Sequence, residues 1–210
     1  MYEQNNNYAE VAGIISAPPE YSHEVLGEKF YKITLSIQRI SGNVDNLNLL
    51  ISERIMNADK MKLDMNVMVH GQFRSYNDIS NGINRLLLTV FVKDVTLLEG
   101  DSVTYVNNIV LKGFTCKPVC YRKTPFGREI SDVLLAVNRQ FNKSDYIPCI
   151  LWGRNANYAK DLEIGSNLTL YGRIQSREYI KVTDSGDEKR TAYEVSVSRL
   201  EVKNENAMEN

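Results

Sequence analysis

The chain repeats itself at a spacing that sets its architecture. Displaced by 100 positions, Gly13 falls on Gly113, Pro18 on Pro118, Tyr21 on Tyr121, Gly27 on Gly127 and Arg39 on Arg139, without a gap. Ile33, Leu35 and Ile37 match Val133, Leu135 and Val137, and Asp45 matches Asp145. After one inserted residue, His70-Gly71-Gln72-Phe73 meets Tyr171-Gly172-Arg173-Ile174, and Val90, Val92 and Val95 meet Val195, Val197 and Leu200. A unit of about 100 residues is long enough to close its own core. The 210 residues therefore divide into two domains, 1–102 and 103–203, followed by a short polar tail, 204–210.

Within each copy apolar and polar residues alternate with period two, the signature of half-buried strands. In the second copy this predicts strands near 107–116, 129–139, 146–153, 167–179 and 190–202, with a helix over Asn155 to Glu163. Pro118, Pro125 and Gly127 make the first connection a turn-rich loop, and Asp184, Ser185 and Gly186 mark the last hairpin. Three strands, a helix and two strands make up the oligonucleotide-binding (OB) barrel. The predicted fold is all-β: two tandem OB-fold five-stranded barrels, each with a short helix between strands 3 and 4.

Strand parity then assigns faces. In the second copy Ile147, Cys149 and Leu151 form the inward set, which turns Tyr146, Pro148, Ile150 and Trp152 outward. On the fourth strand Leu168, Leu170, Gly172, Ile174 and Ser176 read inward, and Thr169, Tyr171, Arg173, Gln175, Arg177 and Tyr179 outward. Exposed rings interleaved with guanidinium groups suit single-stranded nucleic acid, whose unpaired bases stack on rings while cations neutralise its phosphates. Arg139 and Lys181 extend the cationic set. Stacking by itself does not separate a deoxyribose from a ribose strand.

The net charge of −1 conceals an asymmetry. Residues 1–100 hold 9 basic and 12 acidic side chains, whereas 101–203 hold 16 and 12. The second copy is thus the better partner for a polyanion. Other chemistries are poorly served. The three cysteines, Cys116, Cys120 and Cys149, lie in a different copy from His23 and His70, so a four-ligand zinc site is not expected, and neither are disulfides. Cys149 reads as core filler. No phosphate-cradling loop or nucleophile elbow is present, and Asp132, Asp145 and Asp161 are scattered, so neither catalysis nor a cofactor is expected. With no leader-like N-terminus and no apolar stretch approaching about 18 residues, the expected location is the cytoplasm, away from membranes.

The second copy resembles the bacterial single-stranded DNA-binding protein family. The resemblance spans about residues 107–202. It rests on Asn107-Asn108-Ile109-Val110-Leu111-Lys112-Gly113, Thr124-Pro125-Phe126-Gly127-Arg128-Glu129-Ile130-Ser131 and Leu135-Ala136-Val137-Asn138-Arg139. It continues through Asp145-Tyr146-Ile147-Pro148-Cys149, Trp152-Gly153, Gly165-Ser166 and Gly172-Arg173-Ile174-Gln175-Ser176-Arg177. It implies that Phe141, Tyr146, Trp152 and Tyr179 stack bases and that Arg154 and Arg177 meet phosphates. Glu178 occupies a position that is often basic in the family. In the first copy the matching positions are Ser41, Asn46, Ser52 and about Tyr76, so that copy is expected to bind strands weakly and to pair barrels or contact a protein. Tyr21, Tyr31, Arg39, Arg74 and Tyr76 would form what remains of its path.

The resemblance further implies a homodimer with four OB folds and replication or repair proteins as partners. Asn204 to Asn210 carries no apolar tip of the kind that recruits such partners in the family. The function implied is sequence-tolerant binding of single-stranded DNA in replication, recombination or repair. The alternative is a primosome-type adaptor that uses its barrels chiefly to hold proteins.

Overall fold

Alternating burial carries the predicted strands into the structure. The computed structural model describes residues 6–78, 85–100, 102–183 and 186–203. The expected tail at 204–210 and the hairpin tip at Asp184 and Ser185 lie outside them. The first copy contains β1 (Asn7–Ile15), β2 (Glu20–Val25), β3 (Glu28–Gln38), β4 (Val44–Ser52), β5 (Asn66–Asp78) and β6 (Arg85–Leu97). The second contains β7 (Val106–Thr115), β8 (Cys120–Lys123), β9 (Glu129–Arg139), β10 (Lys143–Trp152), α1 (Arg154–Ala159), β11 (Asn167–Thr183) and β12 (Gly186–Lys203).

Each copy closes on itself. In the first, β1 pairs β3, β3 pairs β4, β4 pairs β6 in parallel, β6 pairs β5, and β5 returns to β1. The second repeats the circuit through β7, β9, β10, β12 and β11. These are the two five-stranded OB barrels. Ile33, Leu35, Ile37, Leu47, Leu49 and Ile51 fill one core, and Val133, Leu135, Val137, Ile147, Cys149 and Leu151 fill the other.

Several local expectations need correction. The turn-rich first loops form a sixth strand in each copy, because β2 and β8 fold back on β3 and β9. The helix ends at Ala159 rather than Glu163. In the first copy its place holds a 3-10 turn, Ala58–Lys60, where the Asn57 side chain accepts the Asp59 N–H at 3.0 Å. Such local bonding satisfies the backbone after one turn and competes with a longer helix. Met61 then plugs the first barrel, as Ala156 and Ala159 plug the second. Ile150, Thr169 and Gln175, read as outward, are buried. Ile150 lies where β10 is paired on both sides, opposite Asp132 and Ser196. Gln175 precedes a point where the other barrel packs against β11.

The barrels join through their first strands. β1 and β7 run antiparallel with Asn7 opposite Leu111, Ala9 opposite Ile109 and Val11 opposite Asn107, so a local two-fold relates the copies. The six strands β6-β5-β1-β7-β11-β12 then run side by side as the centre of one twelve-stranded sheet. Two further bridges obey the same symmetry. Asp145 accepts the Ser75 N–H at 2.8 Å while Ser75 Oγ accepts the Tyr146 N–H at 2.7 Å. Asp45 accepts the Ser176 N–H at 2.9 Å while Ser176 Oγ accepts the Asn46 N–H at 3.0 Å. Each long hairpin therefore reaches across to the other barrel. Among the described residues no helix is long and apolar enough to cross a membrane.

At the barrel corner, where β7 leaves β11 for β9, the backbones approach closely. A Cβ on Gly113 would stand 2.3 Å from the Ala136 carbonyl oxygen, as one on Gly13 would from that of Ser36. Gly113→Ala is expected to cost about 1–3 kcal/mol through overpacking, read as a lower urea midpoint. An unchanged midpoint would show that the corner can yield.

Candidate nucleic-acid interface

The β9–β10 hairpin and the outer face of β10 present three of the four expected stacking residues. Phe141 sits in the turn with φ +62°, followed by Asn142 at +54°. Left-handed backbone is unfavourable for phenylalanine, and here it holds the ring at 90% exposure. Tyr146 and Trp152 follow on the outer face of β10, 47% and 37% exposed. They stand six positions apart, about 20 Å at ~3.3 Å per residue. Exposed Arg154 begins α1 just beyond Trp152.

A second line runs along the β11–β12 hairpin. Tyr179 is 38% exposed, with the Arg177 guanidinium 5.9 Å from its ring centroid. Lys181 is exposed opposite Glu188. Glu178 is bridged to Lys189 at 2.7 Å, so its charge has a partner within the hairpin.

Three expected residues are placed elsewhere. Tyr171 lies on the central sheet opposite Val110, its ring covered by Arg199 at 3.9 Å and its hydroxyl 3.4 Å from Glu201. Arg173 is exposed and lines a recess with Arg39, Ser41 and Tyr105 at the domain junction. Arg139 faces Asp145, with Nε 3.5 Å from Oδ2. The copies differ at this pair, because Arg39 Nε donates to Asp45 Oδ2 at 2.7 Å and Nη2 donates to Oδ1. Burial pushes the Asp145 carboxyl up, against the pull of the Ser75 N–H, Arg139 and Arg74. The bond to Asp45 raises Arg39.

The first copy has an aromatic array at positions other than those compared above. His23 stacks on Phe30 with centroids 5.0 Å apart and planes 8° from parallel, and Phe30 meets Phe91 at 6.1 Å. The Arg74 guanidinium lies 4.0 Å from the Phe91 centroid. Strand parity held this signal, since Phe91 sits between inward Val90 and Val92.

The model of the single-strand binding protein family matches residues 106–203, the second barrel. Single-stranded DNA-binding protein 2 of Listeria monocytogenes is 38% identical over 112 residues, covering 48% of this chain and 68% of that protein. The chain belongs to the single-strand binding protein family. Single-stranded DNA-binding protein 1 of Lactococcus lactis is 37% identical over 81 residues, 35% of this chain and 54% of that one. The chain thus spans about half the length of that curated relative. The crystal structure of the wild-type single-stranded DNA binding protein from Thermus aquaticus superimposes with a TM-score of 0.76 over 97% of this chain and 96% of that one, at 20% identity. That likeness shows the fold and extends it to both barrels.

The positions of the two arginines predict opposite behaviour. Arg139→Ala leaves the buried Asp145 carboxylate short of its counter-ion and should cost about 2 kcal/mol. Exposed Arg154→Ala should stay within about 0.5 kcal/mol of the parent. Equal urea midpoints for the two variants would refute the structural assignment of Arg139.

Proposed function

We propose that the protein binds single-stranded DNA with little sequence preference, in the service of replication, recombination or repair. Phe141, Tyr146, Trp152 and Tyr179 stack unpaired bases. Arg154, Arg177 and Lys181 neutralise the phosphates between them, and Arg173 adds charge at the edge of the path. Residues 103–203 supply this face and residues 1–102 brace it. The observation that carries the reading is the exposed line Phe141, Tyr146, Trp152 along one hairpin and strand, inside the segment that the family model matches. Every base has a π-face and every nucleotide a phosphate, so a surface built this way tolerates sequence.

Two chains are proposed to associate and bring four barrels together. The outer face of the central strands supports this, because Tyr8 stacks on His70 there and Arg199 covers the Tyr171 ring, which makes a broad face of half-buried rings. Equilibrium sedimentation should give twice the 24.0 kDa chain mass. A mass of one chain at micromolar concentration would remove the dimer.

Trp152 is the only tryptophan, so its fluorescence reports on the stacking line directly. Titration with oligo(dT) should quench it, with affinity falling as salt rises by a slope of about −0.7 per phosphate contacted. Alanine at Tyr146 or Trp152 should cost about 1–3 kcal/mol of binding. Matched DNA and RNA oligomers separate the two strand chemistries. Absence of both quenching and retained DNA at low salt would refute the strand-binding reading.

A further inference from the structure

We infer that the junction of the barrels holds a second strand-binding site, a cationic groove framed by Arg74 and Lys93 of the first copy and Arg139 of the second. It carries the sugar-phosphate backbone from the β10 stacking line onto the first barrel. The inference rests on the single-strand reading above and assigns the first copy a direct part in it.

The groove consists of two stretches that meet at Arg74 and Arg139. One continues past Lys93, Asn138 and Gln140, the other past His23, Lys32 and Tyr76. Among the described residues no aspartate or glutamate lines either stretch. The first 100 residues hold 12 acidic side chains against 9 basic ones, so a wall this long without a carboxylate is a selective arrangement. Such a surface concentrates field on a polyanion.

Its cations are held in place. Arg74 lies flat on Phe91, and its Nε and Nη2 donate to Gln72 Oε1 at 3.2 and 2.6 Å. These bonds run to a neutral amide and leave the positive charge available. Burial first, and then the charge of nearby Arg139, hold the Arg74 guanidinium below its ordinary range against the pull of Asp145. Two guanidinium groups brought together in this way are relieved by an anion. The carboxylate between them, Asp145, accepts the Ser75 N–H and is shared by Arg139 and Arg74, so one carboxylate faces two guanidinium groups. Lys93 is the extra residue of a β-bulge, since Val92 pairs Gly71 and Asp94 pairs His70. Bulges re-aim side chains.

The local two-fold supplies an internal comparison. In the second copy the positions of Arg74 and Thr89 are held by Gln175 and Glu194, bonded to each other at 2.6 Å. The positions of Phe91 and Lys93 are held by Ser196 and Ser198. The counterpart recess across the two-fold keeps Arg39 and Arg173, but Arg39 is tied to Asp45 by two hydrogen bonds and Gln175, Ser196 and Ser198 stand in place of Arg74, Phe91 and Lys93, so the two sides of the junction differ in the cations they leave available. Its start also adjoins the stacking line. Gln140 precedes exposed Phe141, and Tyr146 donates its N–H to Ser75 beside Arg74. At the far end Tyr76, 40% exposed, and His23, stacked on Phe30, offer faces for bases.

The test uses the full chain with Lys93→Gln and Arg74→Gln, titrated with oligo(dT) of about 8 and about 35 nucleotides, lengths set by ~4–16 nucleotides per OB fold. Trp152 quenching by the short oligomer should match the parent. For the long oligomer each variant should lose about 0.7 of salt slope and bind about fivefold more weakly near 0.1 M salt, one phosphate contact's worth. Should Arg74→Gln fail to fold, exposed Lys93→Gln carries the test. Parent-like slope and affinity on the long oligomer, with quenching intact, would overturn the groove and leave the strand-binding reading standing. Absence of quenching by either oligomer in the parent chain would overturn both.

Discussion

The pairing of β1 with β7 is the contact on which the remaining geometry depends. A closed barrel still leaves the outer edge of its first strand with unpaired N–H and C=O groups, and buried groups of that kind cost about 1–3 kcal/mol each when unmatched. Here each first strand completes the other, from Asn7 opposite Leu111 to Ala12 opposite Val106. The pairing fixes register as well as contact. A slip of one residue would reverse every side chain on β1 and send Val11 out of the core. With that register set, the two long hairpins come to rest on the opposite barrels, where Asp45 and Asp145 receive the N–H groups of Ser176 and Ser75.

Two kinds of position follow from the shared frame. Those that build the junction occur in both copies: Gly13 and Gly113, Asn7 and Asn107, Arg39 and Arg139, Asp45 and Asp145, Ser75 and Ser176. Asn7 and Asn107 illustrate the strictness, since each exchanges two bonds with a neighbouring strand's backbone, at 2.7 and 2.9 Å in both copies. Those that face solvent diverge. Trp152 answers to Ser52, which is buried and bonded to Glu28. Phe91 answers to Ser196. The aromatic groups of the two barrels therefore occupy different strands, and comparison at matching positions understates what the first copy offers.

Most of the core was legible in the sequence because a five-stranded barrel buries one face of every strand. Ile147, Cys149 and Leu151, or Val133, Leu135 and Val137, needed only period two. The misses have a common origin in contacts beyond a single strand. β2 lacks an apolar face altogether, with Glu20, Tyr21, His23, Glu24 and Val25 all exposed, so only its pairing with β3 defines it. Gln175 is buried in part by the opposite barrel's approach at Ser176, which no parity rule contains. In the candidate interface the line along β10 was readable from alternation and from the family resemblance. Parity and charge placed Tyr171 and Arg139 but carried no sign of the Arg199 and Asp145 that engage them.

Covalent linkage of the copies explains why such divergence is tolerated. In a symmetric pair of separate chains a substitution at a position near the two-fold appears twice, so a groove that gains an arginine on one side gains it on both. In a tandem chain Arg74 and Gln175 change independently. The linker also replaces a bimolecular association with an intramolecular one at high effective concentration, so the β1–β7 contact survives side chains that would weaken a free dimer. Arg139 sits near Arg74 under these conditions, with Asp145 held more loosely than Asp45 is by Arg39. The two sides of the junction therefore carry different charge arrangements, with Arg39 tied to Asp45 on one and Arg74 close to Arg139 on the other.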